Sequence, residues 1–107
     1  MDAQLKKGIL EMCILFSVSK EEMYGYDIMN HMHQYFPDVN ESTFYAILRR
    51  LNKEGRTETY LGERSNGPTR KYYRITNVGK KTLEESIGDF KHLCGIVEDL
   101  GINIDRM

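Results

Sequence analysis

Apolar side chains recur at helical spacing in four stretches of this chain and alternate with polar ones in a fifth. The first stretch, residues 5–18, places Leu5, Ile9, Met12 and Phe16 on one stripe, while Leu10, Cys13, Ile14, Leu15 and Val18 fill most of the remaining circumference. A helix apolar nearly all round is buried on more than one side, so in a short chain one side faces the core and the other a second subunit. Polar residues 19–22 end it. A second helix opens at Tyr24-Gly25-Tyr26-Asp27, carries Ile28, Met32, Tyr35 and Phe36 on its stripe, and stops at Pro37. The third is the one the chain is organised around: Phe44, Ile47, Leu48 and Leu51 fall at i, i+3, i+4 and i+7. Asn40 suits its N-cap, Glu41 its first turn and Gly55 its C-terminal stop.

The opposite side of this third helix collects Ser42, Thr43, Tyr45, Ala46, Arg49, Arg50 and Lys53. Hydroxyls and a helix N-terminus bind phosphate oxygens, arginine forks onto guanine edges, and a small residue lets the helix sink into a major groove. Ordinary surface helices also carry solvated cations, so the neighbouring elements decide between the two readings. Two helices joined by a short turn, the second polar on its outer side, make a helix-turn-helix. After it, Thr57, Thr59 and Leu61 alternate with Glu58 and Tyr60, and beyond Ser65-Asn66-Gly67-Pro68, Tyr73 and Ile75 alternate with Tyr72 and Arg74. Period two on both flanks of an Asn-Gly turn predicts a β-hairpin. Directly behind a recognition helix, such a hairpin is a wing. Arg64 and Arg70 at its tip would reach the phosphate backbone or the minor groove.

Thr76 caps the last helix, along which Leu83, Ile87, Phe90, Cys94 and Val97 step by 4, 3, 4 and 3, with Leu93, Ile96 and Leu100 as an adjoining stripe. That heptad-like step suits lengthwise packing on another helix. Too little chain remains to cover both stripes, so the expected partner is the same helix, or the first helix, of a second subunit. The predicted architecture is mainly α with a small β-hairpin wing. A winged helix-turn-helix occupies residues 1–76 and a C-terminal dimerisation helix residues 77–107, together one compact unit. The expected dimer interface comprises Leu5, Ile9, Met12 and Phe16 from the first helix and Ile87, Phe90, Leu93 and Val97 from the last.

At 107 residues the chain is one domain, of a size that buries roughly 60–70% of its unfolded surface. Its formal charge of −1 offers no general attraction to nucleic acid, but the charge is unevenly placed. Between Arg49 and Arg74 there are eight cations and three anions, a local excess of +5 that leaves −6 for the remainder. Cys13 and Cys94 lie in apolar helical patterns without a CxxC, which predicts free buried thiols in a reducing compartment. No apolar run approaches the roughly 18 residues of a membrane span, and the N-terminus does not read as a signal peptide, so a cytoplasmic location is expected. His31 and His33, two apart, point to different helix faces and predict no metal site. No nucleophile–base pair, carboxylate pair or phosphate-binding glycine loop is present, so neither catalysis nor a cofactor is predicted.

LKKGILEMCIL, YGYDIM, STFYAILRRLNKEG and GPTRKYYRIT-x-x-G, read in order, resemble the PadR family of bacterial winged-helix transcriptional regulators, in particular its small members with a single C-terminal helix. The resemblance implies a homodimer, joined through the first and last helices, that represses genes until an effector changes the spacing of its two recognition helices. It places Ser42, Thr43, Tyr45 and Arg49 at double-stranded DNA, with the wing contributing around Gly67 and Arg70. The implied operator is an inverted repeat with half-sites about 34 Å apart. Relatives respond to phenolic acids or bulky aromatic drugs, and Met12, Phe16, Phe90 and Leu93 would line such a space between subunits. Met and aromatic residues at helical spacing are more often simple core or interface packing. Two departures stand out. Ala46 occupies a position where many relatives have proline, and Arg56 and Thr57 stand where the family usually has two aliphatic residues. Thr57 would then need a partner for its hydroxyl, while Arg56 would extend the basic face. The competing class is a winged-helix protein-interaction module without DNA binding, for which the net acidity speaks.

Overall fold

The computed structural model describes residues 1–6, 8–63 and 67–106. The chain begins with a one-turn helix α1 (Ala3–Lys6), whose first turn is capped by Asp2: its Oδ1 accepts from the Gln4 and Leu5 amides at 2.8 and 3.3 Å. Gly8, at φ 87°, turns the chain into α2 (Ile9–Lys20). The unbroken helix expected over residues 5–18 is therefore two helices. The stripe joining Leu5 to Ile9, Met12 and Phe16 assumed continuous winding, and Leu5 instead sits apart on α1, 68% exposed.

Leu10, Ile14, Leu15 and Val18 bury the core side of α2, while Phe16 stays exposed and Met12 and Cys13 are half-buried. Cys94 is also half-buried, and both thiols are free. The Tyr24-Gly25 stretch, expected to open a helix, first makes a two-residue strand β1 (Met23–Tyr24), and α3 (Gly25–Tyr35) follows. Ile28, Met29 and Met32 form the buried side of α3; Tyr35, placed on that stripe from the sequence, points to solvent.

Helix α4 (Glu41–Lys53) buries Phe44, Leu48 and Leu51 completely and Ile47 partly. Asn40 starts it through its backbone carbonyl, which accepts from the Thr43 and Phe44 amides; its side chain makes no cap bond. At the other end Gly55 adopts φ 75°, and the Gly55 and Arg56 amides donate to the carbonyls of Asn52 and Leu51 at 3.1 and 2.9 Å. This paired closure needs a left-handed residue, which glycine supplies without a Cβ penalty.

Strands β2 (Thr57–Gly62) and β3 (Arg70–Ile75) pair antiparallel from Thr57↔Ile75 to Gly62↔Arg70, and β1 adds to the free edge of β3 with Met23↔Tyr73 and Tyr24↔Tyr72. The sheet order is β1-β3-β2. Alternation sends Thr57 and Tyr73 to the core and Tyr24, Tyr72 and Tyr60 to the outer face. Helix α5 (Asn77–Asp99) starts at Thr76, whose Oγ1 accepts from the Gly79 amide at 3.0 Å, and packs its first half against α2 and β3. Within α5 only Gly79 and Leu83 are buried among the described residues.

Thr57 shows the consequence of a hydroxyl at the wing base. It is 2% exposed, and its Oγ1 has no hydrogen-bond partner among the described residues. Leaving a polar atom dry and unpaired costs about 1–3 kcal/mol. Thr57→Val keeps the shape and removes the orphan, so it is expected to raise Tm by several degrees in a thermal melt, given roughly 4–8 °C per kcal/mol for a domain of this size. An unchanged or lowered Tm would show that the hydroxyl is satisfied.

Candidate nucleic-acid interface

Because three of the four apolar residues on the α4 stripe are fully enclosed, the helix cannot rotate about its axis, and its other side is held outward. Ser42, Thr43, Ala46, Arg49 and Lys53 are all exposed on that side. Tyr45 differs from the others. It is half-buried and packed against the core, with its ring edge 3.4 Å from where a Cβ on Gly25 would lie. Only part of that ring faces outward, so Tyr45 joins the outer face to the helix-turn-helix corner.

Tyr73, on the inner side of β3, reaches the same place. Burial pushes its phenol above the usual range, the Tyr45 phenol beside it acts in the same direction, and Arg49 pulls the other way. Tyr73 thus keeps its proton near neutral pH, in the neighbourhood of Tyr45 and Arg49. Sequence reasoning missed this neighbour, because the β2–β3 pairing brings it to α4 and no spacing along the chain announces it.

The cations counted from the sequence divide into two groups. Glu11 on α2 grips two of them: its carboxylate accepts from Arg50 at 2.6 Å and from Arg56 at 2.8 Å, and Glu54 lies 3.6 and 3.3 Å from the same two guanidinium groups. Arg56 is therefore a half-buried tie between α2 and the wing base and does not extend the basic face. Arg74 pairs with Glu58 at 2.9 Å and lies over the Tyr60 ring. Arg49, Lys53, Arg70 and Lys71 are exposed and make no ion pair among the described residues. The positive surface is smaller than the +5 of the sequence suggests, and it is concentrated on α4 and the start of β3. Of the wing residues named from the sequence, Arg70 is exposed at the first position of β3, Gly67 is half-buried, and Arg64 lies outside the described residues.

A row of tyrosine rings crosses the outer face of the sheet. Tyr26 stacks on Tyr24 with centroids 6.2 Å apart, Tyr24 meets Tyr72 at 5.9 Å, and Tyr72 stacks on Tyr60 at 5.6 Å. The Tyr60 hydroxyl donates to Glu22, and Arg70 lies over the Tyr24 ring at 5.4 Å.

Away from this surface, an apolar cleft of about 410 Å³ opens between α2, α3 and α5, lined among others by Met12, Phe16, Met32, Tyr35, Phe36 and Ile87. Met12 and Phe16, named for an effector space, are in its wall. Phe90 and Leu93, named with them, lie further along α5 and do not line it. No helix among the described residues is long and apolar enough to cross a membrane.

A helix-turn-helix whose second helix is exposed on its hydroxyl-and-cation side, followed by a paired wing and a long terminal helix, defines the winged-helix class. Residues 14–85 match the profile of the PadR-like family of transcriptional regulators, and the chain belongs to that family, whose members are regulators and not enzymes. It is 39% identical to a PadR-like transcriptional regulator from Bacillus cereus, with 92% of this chain and 96% of that one covered and a TM-score of 0.84. A PadR-like transcription factor from Bacteroides fragilis is 33% identical over 92% of this chain and 96% of its own, with a TM-score of 0.76. An uncharacterised protein of Lysinibacillus sphaericus is 35% identical over 96 residues, 86% of this chain and 87% of that one. The family binds DNA as a rule.

Proposed function

We propose that this regulator binds operator DNA in a sequence-specific manner as a homodimer and represses transcription until an aromatic or phenolic effector releases it. The observation that carries the DNA-binding part is the two-sidedness of α4: Phe44, Leu48 and Leu51 are sealed in the core, while Ser42, Thr43, Arg49 and Lys53 face outward beside Arg70 and Lys71. Arg49, supported by Tyr45 and Tyr73, is the group we assign to base edges. The hydroxyls at the start of α4 and the cations of β3 are assigned to phosphates.

Two recognition helices related by a dimer axis would enter successive major grooves of an inverted repeat. Support for the dimer comes from α5 and the residue that caps its end: Ile87, Phe90, Leu93, Ile96 and Leu100 are 44–78% exposed in a single subunit. An apolar stripe of that length calls for a partner. Ile9, Met12 and Val97 are half-buried in the subunit, and Leu5 and Phe16 are exposed, which leaves the α2 side of the assigned interface free to be covered. The α2–α3–α5 cleft adjoins this surface through Phe16 and Ile87, so a ligand there would press on the helices that set the separation of the two readers.

The test is a fluorescence-anisotropy titration with a duplex from the chain's own upstream region, at several salt concentrations. Arg49→Ala is expected to weaken binding by at least about tenfold and to relax sequence preference. Wild-type affinity should fall steeply with salt, because phosphate contacts act through counterion release. A dimer that never binds the duplex would leave the interaction-module reading in place.

A further inference from the structure

The sheet carries two arginines on its outer face, and their surroundings differ. Arg74 is neutralised by Glu58 at 2.9 Å and lies over Tyr60. Arg70, four residues earlier on the same strand, lies 5.4 Å from the Tyr24 ring centroid and contacts no carboxylate among the described residues. Its charge is thus oriented without being cancelled. A guanidinium on a ring face gains attraction from the ring quadrupole while its N–H groups stay free at the edges.

The ring that does the orienting is itself immobilised. Tyr24 is held in register by β1–β3 pairing opposite Tyr72, and its ring is flanked by Tyr26 and Tyr72. Tyr72 is in turn clamped by Tyr60 and by Gly62, where a Cβ would come within 2.9 Å of the Tyr72 ring. The strand β1, two residues long, thereby places one aromatic platform beneath one arginine. A long exposed side chain normally gives up considerable rotamer freedom when it binds, and a side chain already laid on a fixed surface gives up less.

We infer that Tyr24 is a positioning residue for Arg70, holding its guanidinium ready for the phosphate backbone beside the groove that α4 reads. This rests on the DNA-binding reading above. Tyr24 acts through Arg70, and its ring matters while its hydroxyl does not.

The test has one part without DNA and one with it. In NMR spectra of the free dimer, the Arg70 side-chain protons should be shifted upfield by the ring current in wild type and in Tyr24→Phe, and that shift should vanish in Tyr24→Leu. Arg70 protons at ordinary positions in the wild type overturn the inference, whether or not any variant folds. With the upstream duplex, Tyr24→Leu is expected to weaken binding about three- to tenfold, Tyr24→Phe to restore it, and Tyr24→Leu/Arg70→Ala to bind no worse than Arg70→Ala alone. Because a phosphate contact carries no sequence information, the loss should be similar on an unrelated duplex. Additive losses in the double variant, or full binding by Tyr24→Leu, overturn the inference while leaving the DNA-binding reading intact. Absence of any wild-type binding removes that reading, and the ring-current measurement still decides whether Tyr24 holds Arg70.

Discussion

Gly79→Ala is expected to prevent the chain from folding stably. A Cβ at this position would lie 1.9 Å from the Arg56 carbonyl oxygen, 2.9 Å from the Arg56 carbonyl carbon and 2.8 Å from Ile75 Cγ1. The obstacle is mainly backbone, so no side-chain rotation relieves it. Nor can the helix simply retreat, because its start is fastened to the same turn: the Thr76 amide donates to the Arg56 carbonyl at 3.1 Å, and the Thr76 hydroxyl donates to the Gly55 carbonyl at 2.6 Å. Moving α5 away breaks these bonds together with the α5 contact on β3. Backbone collisions without a route of escape fall in the upper range of single-residue effects, about 4 kcal/mol or more. That is a large share of a typical domain's 5–15 kcal/mol. Circular-dichroism melts and soluble yield read the outcome. Gly88→Ala is the control, since no heavy atom lies within 4 Å of a Cβ there, and better helix propensity should maintain or raise stability. A folded Gly79→Ala protein with a wild-type melt would mean that α5 does not start against the α4–β2 turn.

Leu93→Glu is expected to convert the proposed dimer into monomers and, through that, to lower sharply the operator affinity proposed above. Leu93 lies on the exposed stripe with Phe90, Ile96 and Leu100, on a part of α5 that buries none of its residues within the subunit. In a symmetric interface one substitution acts twice, placing two carboxylates in an apolar seam where an unpaired charge costs several kcal/mol. A loss of 100-fold or more in dimer affinity is expected from about 3 kcal/mol. The subunit itself should melt cooperatively, because its core lies among α2, α3, α4 and the sheet. Sedimentation equilibrium measures the association directly, and removal of the chain from Ser86 onward should give the same monomer. A dimer that survives both changes would move the interface off α5.

Helix α4 and the wing strands were legible because each rests on local periodicity: four residues on one stripe for α4, and alternation from Thr57 to Leu61 and from Tyr72 to Ile75. The end of α4 was legible as well, since a left-handed closure asks for glycine. The strand β1 was not. Two residues carry no period, and Met23 and Tyr24 become a strand only because β3, nearly fifty residues later, offers them an edge. The break at Gly8 was hidden for a related reason, since a glycine within an apolar helical pattern is compatible with winding or with turning.

The candidate site divides along the same line. Ser42, Thr43 and Arg49 could be placed on an outer face from spacing alone, but the state of each charge could not. Arg50 and Arg56 appear as free cations in the sequence and are held by Glu11, 39 and 45 residues away. Tyr45 reads as a surface phenol and proves half-buried against the corner at Gly25.

By itself the sequence determined which side of each helix is apolar, where the wing lies and which residue types stand on the outer side of α4, because these follow from side-chain order and backbone period within a few turns. Only the tertiary structure decided which cations remain unneutralised, that Thr57 is buried without a partner, and that Tyr24 lies beneath Arg70. Those outcomes depend on contacts between distant segments, and charge pairing and burial are properties of distance in space.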